Sequence, residues 1–264
     1  GSGKTTTIRN MMGFIKPDHG DSMVENLDSW TKSAEIMNNV SYVPGEIAFP
    51  ALKSGTEFLK TQAGYIGVRD FTYMNHVIEL LQLDPSANLK KMSKGMKQKT
   101  AIVAALMGEK DILVLDEPTT GLDPLMREAF LDLIREEKQK GHTVFMSSHI
   151  FEEIEAVCDR VAMIKDGHII DTISLYDLRH PSIKNFIVEF AQERDKKRFL
   201  DDPRFQSESR NALGCTMQCD ISQLDDLFHT LKCMEVTNFR EIRRSLQEQF
   251  MSTYKEGLAR NGNK

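Results

Sequence analysis

The run Ile112-Leu113-Val114-Leu115, followed at once by Asp116-Glu117, limits the fold more than any other stretch of the sequence. Four consecutive apolar residues without alternation suit a strand covered on both faces, the setting of a central strand in a parallel sheet. In open α/β sheets ligands bind outside the carboxyl ends of the strands, so the two acids are delivered to a crevice. The run sits within a longer stretch, Met92 to Pro124. That stretch also holds Ser93-Lys94-Gly95, which opens a helix, and the tight turn Gly121-Leu122-Asp123-Pro124.

The chain begins Gly1-Ser2-Gly3-Lys4-Thr5-Thr6, the second half of the phosphate loop G-x-x-x-x-G-K-[ST]. In that motif the glycines let backbone N–H groups curl around phosphate oxygens, the lysine reaches the β/γ-phosphates and the hydroxyl serves Mg²⁺. These roles fall to Lys4 and Thr5. Ile8, Met11, Met12 and Ile15 recur at helical spacing from Thr6 to Ile15 until Pro17, which puts the loop at a helix N-terminus, a favourable place for an anion. The first half of the loop and the strand that would aim it are absent, and the sequence reads as a fragment of a longer one. Val40-Ser41-Tyr42-Val43 reads as a short strand stopped by Pro44-Gly45. From Leu52 to Leu89 the apolar spacing becomes helical, an insertion between strands whose stripes are mainly core.

Ser93 suits either a helix N-cap or an anion site at a helix start. Beyond the acids, Met126, Phe130, Leu133 and Ile134 line a helix ended by Gly141. Thr143 to Ser147 is a second strand, which delivers Ser148 and His149 to the sheet edge of Asp116-Glu117. A helix with Ile150, Phe151, Ile154 and Val157 follows, then two strands about the Asp166-Gly167 turn. Composition narrows the function classes. Net charge is -5, which argues against nucleic acid as a partner. No apolar run reaches the roughly 18 residues of a membrane span. Cys158, Cys215, Cys219 and Cys233 show no zinc-like spacing and are too few for a disulfide scaffold, so free thiols are expected.

Taken in order, the half phosphate loop, Met92-Ser93-Lys94-Gly95-Met96-Lys97-Gln98, Asp116-Glu117-Pro118-Thr119, Gly121-Leu122-Asp123-Pro124 and His149 resemble the ATP-binding subunit of ABC transporters. The resemblance covers Gly1 to about Tyr176 and looks nearest to bacterial exporter ATPases of the antibiotic and multidrug branch. It implies an α/β fold: a P-loop NTPase parallel sheet flanked by helices, with a helical insertion at about 50–108, in a domain spanning 1–178. A small C-terminal α+β accessory domain spans 183–264. Its expected pattern is strand, helix, strand, strand, helix, strand, helix, and its close at Ser245 to Tyr254 resembles the terminal segment of exporter-type ATPases.

The resemblance also implies roles. Gly1, Ser2, Gly3, Lys4, Thr5 and Thr6 hold the phosphates of ATP, and Thr5 and Asp116 hold Mg²⁺. Glu117 is the general base on the attacking water, and His149 senses the γ-phosphate. Ser93 and Gly95 contact ATP bound to an opposing subunit, and Asp123 communicates between the two sites. A second copy or a related ATPase is then needed to complete each site. The implied setting is the cytoplasmic face of the cell membrane, with an integral membrane permease as partner and ATP hydrolysis powering export. Two other readings stand beside it: a soluble ABC-type ATPase outside transport, and a catalytically weakened regulatory module. Two positions depart from the family pattern. Gly45 stands where most relatives carry Gln, leaving Glu46 or a backbone carbonyl with water to serve instead, and Lys94 replaces the second glycine of the signature.

Overall fold

The computed structural model describes residues 1–243 and 245–252. In chain order its elements are α1 (Lys4–Met11), β1 (Met23–Val24), β2 (Leu27–Asp28), α2 (Ser33–Ile36), β3 (Val40–Val43), α3 (Gly55–Ile66), α4 (Thr72–Leu80), α5 (Lys94–Leu106), β4 (Ile112–Asp116), α6 (Pro124–Gln139), β5 (Thr143–Ser147), α7 (Phe151–Val157), β6 (Arg160–Lys165), β7 (His168–Ser174), α8 (Leu175–Arg179), β8 (Ile183–Phe190), α9 (Glu193–Leu200), β9 (Gln206–Ser209), β10 (Gly214–Asp220), α10 (Leu224–Lys232) and β11 (Val236–Ile242). They fall into two units. One comprises Gly1–Cys158 with Ile164–Ile170; the other comprises Asp159–Met163 with the chain from Asp171 onward.

The first unit is built on a three-stranded parallel sheet in the order β3-β4-β5. The apolar run of the sequence forms its middle strand, with Leu113, Val114 and Leu115 buried. Val114 packs with Ile8, Met12, Ile36 and Val40, whereas Leu113 and Leu115 join the large core formed by α3, α4, α5 and α6. A strand with a core on each face carries no alternation, which accounts for the run.

Local chemistry sets the helix ends that matter for the site. Ser93 caps α5 by accepting from Met96 N–H at 3.2 Å. Asp123 caps α6 by accepting from Met126 N–H at 3.0 Å, with Pro124 in the first turn, where its missing N–H is no loss. The apolar positions of α6 named from the sequence, Met126, Phe130, Leu133 and Ile134, are all buried.

Two helices differ from expectation. α1 stops at Met11 instead of running to Ile15, because Gly13 takes φ 68° and a Cβ there would meet Ser29 O at 2.0 Å. Ile15 is consequently exposed. In α7 the buried positions are Glu153 and Val157, so an acid takes an inner place expected of Ile154.

The second unit carries a four-stranded antiparallel sheet in the order β11-β8-β10-β9, with the chain running β-α-β-β-α-β. This is the split arrangement in which both helices cover one sheet face. Phe186, Val188 and Phe190 of β8 alternate toward Cys215, Met217 and Cys219 of β10 and pack with Phe199 of α9 and with Leu227 and Leu231 of α10. Burial pushes the Cys215 thiol up to about 11, so at neutral pH it is a core residue and not a nucleophile. Cys215, Cys219 and Cys233 carry free thiols. A helix covering residues 246–252 ends the described chain, and Thr253 and Tyr254 of the terminal segment lie outside the described residues.

One polar cluster joins the helical insertion to the last turn of α6. The Glu137 side chain is fully buried, with the Tyr73 hydroxyl donating to Oε1 at 2.5 Å and the Lys140 ammonium donating to the same oxygen at 2.9 Å. His142 Nδ1 lies 2.8 Å from Oε2. Burial alone would raise the carboxyl, but the hydrogen bonds from Tyr73, Lys140 and His142 outweigh it and hold Glu137 below its ordinary value of 4.5. The same contact, added to burial, raises the Tyr73 phenol. A carboxylate depressed on folding stabilises the fold above its unfolded pKa and loses that contribution as the pH falls through the folded value. Tyr73→Phe is therefore expected to cost about 1.5–3 kcal/mol at neutral pH, the worth of a hydrogen bond to a charged group. Glu137→Gln is expected to flatten the loss of thermal stability between about pH 5 and pH 3. Melting by circular dichroism across that range checks both.

Candidate active site

The carboxyl end of β4 delivers the two acids in different ways. Asp116 pairs with Ser147 across the β4–β5 ladder and is 1% exposed. Its Oδ1 accepts from the Ser147 hydroxyl at 2.6 Å. Its Oδ2 is buried and has no hydrogen-bond partner. Glu117 follows with φ 48°, a conformation a side-chain-bearing residue adopts at a cost of order 1–3 kcal/mol. That twist turns its carboxylate out of the strand. Oε1 lies 3.5 Å from Lys4 Nζ, and Oε2 lies 3.0 Å from His149 Nδ1 and accepts from the Thr120 hydroxyl at 3.4 Å.

The structure thus brings Lys4, the adjacent pair Asp116-Glu117 and His149, from three separate stretches of sequence, to one edge of the sheet. Gly3 precedes α1 with φ 105°, which the absence of a side chain permits. Its neighbour Ser2 accepts from Gly167 N–H at 3.0 Å, so the turn after β6 packs against the phosphate-loop residues. Gly1, Thr5 and Thr6 are exposed at the start of α1.

Gly45 lies on the other side of the acid. A Cβ there would come 3.2 Å from Asp116 Oδ2 and 3.5 Å from Asp116 O. A glycine at this position leaves the unpartnered oxygen uncrowded. A buried carboxylate oxygen without a hydrogen-bond partner fits a hard divalent cation. Among the described residues no cluster of three or more His, Cys, Asp or Glu forms a self-sufficient metal cage. That donor set suits Mg²⁺, which is commonly held by one or two carboxylates, with water and substrate phosphate filling the remaining positions. The Asp116 charge, after burial, also raises the Tyr42 phenol at the neighbouring strand end.

Ser93, Gly95 and Asp123 form a separate group. A Cβ on Gly95 would meet Gly121 O at 2.7 Å, so the first turn of α5 is packed closely on the turn that leads to Asp123. Among the described residues no hydrogen bond or ion pair links these three to Lys4, Asp116 or Glu117.

The matching family model is that of the ABC transporter, over residues 1–120. The bacitracin transport ATP-binding protein BcrA of Bacillus licheniformis is 35% identical over 182 residues, 68% of this chain and 60% of that protein. The ABC transporter ATP-binding protein YdbJ of Bacillus subtilis is 30% identical over 258 residues, 95% of this chain and 82% of its own length. The chain belongs to the ABC transporter ATP-binding proteins. A solved ATP binding subunit of an ABC transporter superposes with a TM-score of 0.60 at 29% identity, over 68% of this chain and 77% of that one. The chain spans 60%, 55% and 59% of the length of three of the curated relatives it matches. The α/β fold with its parallel sheet is that of the ABC ATPase structures.

Three residues of this ABC ATP-binding chain were not singled out by the sequence reading. Ser147 bridges both acids. Glu153 is 1% exposed and accepts from the Thr119 hydroxyl at 2.9 Å and from the Ser148 hydroxyl at 3.0 Å. Arg127 Nε stands 3.1 Å from Glu153 Oε1, an ion pair without an aligned hydrogen bond. Glu153 therefore holds the segment after Glu117 and the segment before His149 to one anchor. Its signal in the sequence was the spacing of four to Val157, which puts Glu153 on the inner face of α7. Glu153→Ala leaves two hydroxyls and a guanidinium without their acceptor. It is expected to destabilise the chain by about 2–3 kcal/mol in urea unfolding, with Glu153→Gln losing less. Unchanged midpoints would remove the anchoring role.

Proposed function

We propose that the chain binds and hydrolyses ATP with Mg²⁺, and that hydrolysis powers export through a separate transmembrane permease. The observation that carries this reading is the convergence of Lys4 and His149 on Glu117, next in the chain to Asp116 with its unpartnered Oδ2, at the carboxyl edge of the sheet. Asp116 Oδ2 and the Thr5 hydroxyl are the groups that would hold Mg²⁺. When bound, the ion supplies charge neutralisation on the β- and γ-phosphates.

The chain's own groups do the rest. Gly1, Ser2, Gly3 and Thr6 cradle the phosphates with the N–H groups at the start of α1. Lys4 exchanges its contact with Glu117 for the phosphates, which frees the carboxylate to accept a proton from the attacking water. His149, already within hydrogen-bond reach of Glu117, holds that carboxylate in place and faces the γ-phosphate. Removing a general base typically costs 10²–10⁴-fold in rate.

Ser93, Gly95 and Asp123 form the complementary half-site. Their separation from Lys4 supports a head-to-tail pair, homodimeric or with a related ATPase, in which each chain's α5 start covers the other's ATP. The ATPase module is taken as 1–178 and the accessory domain as 183–264. The identity to bacitracin transport and ABC transporter ATP-binding proteins supports the export setting at the cytoplasmic membrane face. Among the described residues no helix is long and apolar enough to cross a membrane.

Glu117→Gln is expected to keep ATP binding, lower the steady-state ATPase rate at least about 100-fold and accumulate an ATP-bound dimer, read by phosphate release and size-exclusion. An unchanged rate would remove Glu117 as the base. Ser93→Arg, which places bulk and charge on the covering half-site, is expected to abolish the ATP-dependent shift to dimer while leaving monomer nucleotide binding intact. Normal dimerisation would contradict the two-half-site reading.

A further inference from the structure

Resting on the Mg²⁺-ATP reading above, we propose that Ser147 is a positioning residue for both acids, choosing the Asp116 oxygen that meets the cation and fixing the direction of Glu117. Ser147 ends β5 and is 7% exposed. Its hydroxyl donates to Asp116 Oδ1 at 2.6 Å. The N–H of Glu117 donates to the same hydroxyl oxygen at 3.0 Å and to the Ser147 carbonyl at 3.1 Å.

A hydroxyl has one proton and two lone pairs. The proton is committed to Asp116, so toward Glu117 the oxygen acts as acceptor. Two consequences follow. Asp116 cannot rotate to present Oδ1 without losing a short charge-assisted hydrogen bond, so Oδ2, the oxygen facing Gly45, is the one left for the cation. The forked Glu117 N–H restrains a residue whose φ of 48° is otherwise unfavourable, and that backbone twist aims its carboxylate at Lys4 and His149. Parallel pairing of Asp116 with Ser147 sets the distance, and no other side chain reaches both acids among the hydrogen bonds of the described residues.

Partners that orient a metal ligand commonly matter 10- to 100-fold for metal affinity. The test titrates Mn²⁺ into the full chain with ADP, reading free Mn²⁺ by electron paramagnetic resonance, alongside ADP binding in excess EDTA and thermal melting. Ser147→Ala is expected to weaken Mn²⁺ binding about tenfold and to leave metal-free ADP affinity within about twofold. Ser147→Thr, which keeps the hydroxyl, is expected to stay near wild type. Mn²⁺ affinity unchanged in Ser147→Ala would overturn the proposal while leaving the ATP site standing. An equal loss of ADP binding in EDTA, or a fully folded Ser147→Thr as weak as alanine, would overturn it too. A wild-type chain that binds neither ADP nor Mn²⁺ would remove the site reading and this proposal together.

Discussion

The pairing of β4 with β5, with Asp116 opposite Ser147, is the constraint on which the rest of the site depends. A parallel register puts the carboxyl ends of both strands at one edge, so acids, hydroxyls and histidine that are some thirty residues apart in sequence meet there. Slipping that register by one residue would turn Asp116 to the opposite sheet face and set Leu115 or Glu117 opposite Ser147 in its place.

Around that pairing the chain distributes tasks by burial. Asp116 is enclosed, with one oxygen satisfied and one bare. Glu117, half-open, lies between a lysine at the start of α1 and a histidine in the loop after β5. Glu153 anchors the segment after Glu117 and the segment before His149, and Glu137 ties the helical insertion to the far end of α6. These buried acids differ in environment. Glu137 is fully satisfied by three donors, which is why it remains charged, whereas the bare oxygen of Asp116 is an unsatisfied site of the kind that binding a cation relieves.

Much of this was legible in the sequence, for physical reasons that can be named. An unbroken apolar strand, an Asp-Pro helix start, a Ser cap and an Asp-Gly hairpin each express a local rule, and β4, α6, α5 and the β6–β7 turn follow them. The ends of α1 and the inner face of α7 were not legible. Gly13 stops α1 through a close approach to Ser29, 16 residues away, which no local pattern reports. Glu153, Glu137 and Ser147 resemble surface residues until tertiary contacts supply their partners. The resemblance to ABC transporter ATP-binding subunits implied roles for the acids and the histidine, but it says nothing of the Ser147 hydroxyl bonded to Asp116 and to the Glu117 N–H.

In the proposed mechanism Asp116 Oδ2 is kept bare for a cation and Lys4 stays on Glu117 until phosphate arrives. A crystal structure of the chain with Mg²⁺ and a non-hydrolysable ATP analogue tests it most directly. Mg²⁺ is expected on the Oδ2 side of Asp116, either bonded directly at about 2.1 Å or through one ordered water, with Ser147 still on Oδ1 and Lys4 Nζ moved from Glu117 to the phosphates. Nucleotide bound with Lys4 still paired to Glu117, or a cation coordinated without Asp116 Oδ2, would contradict it.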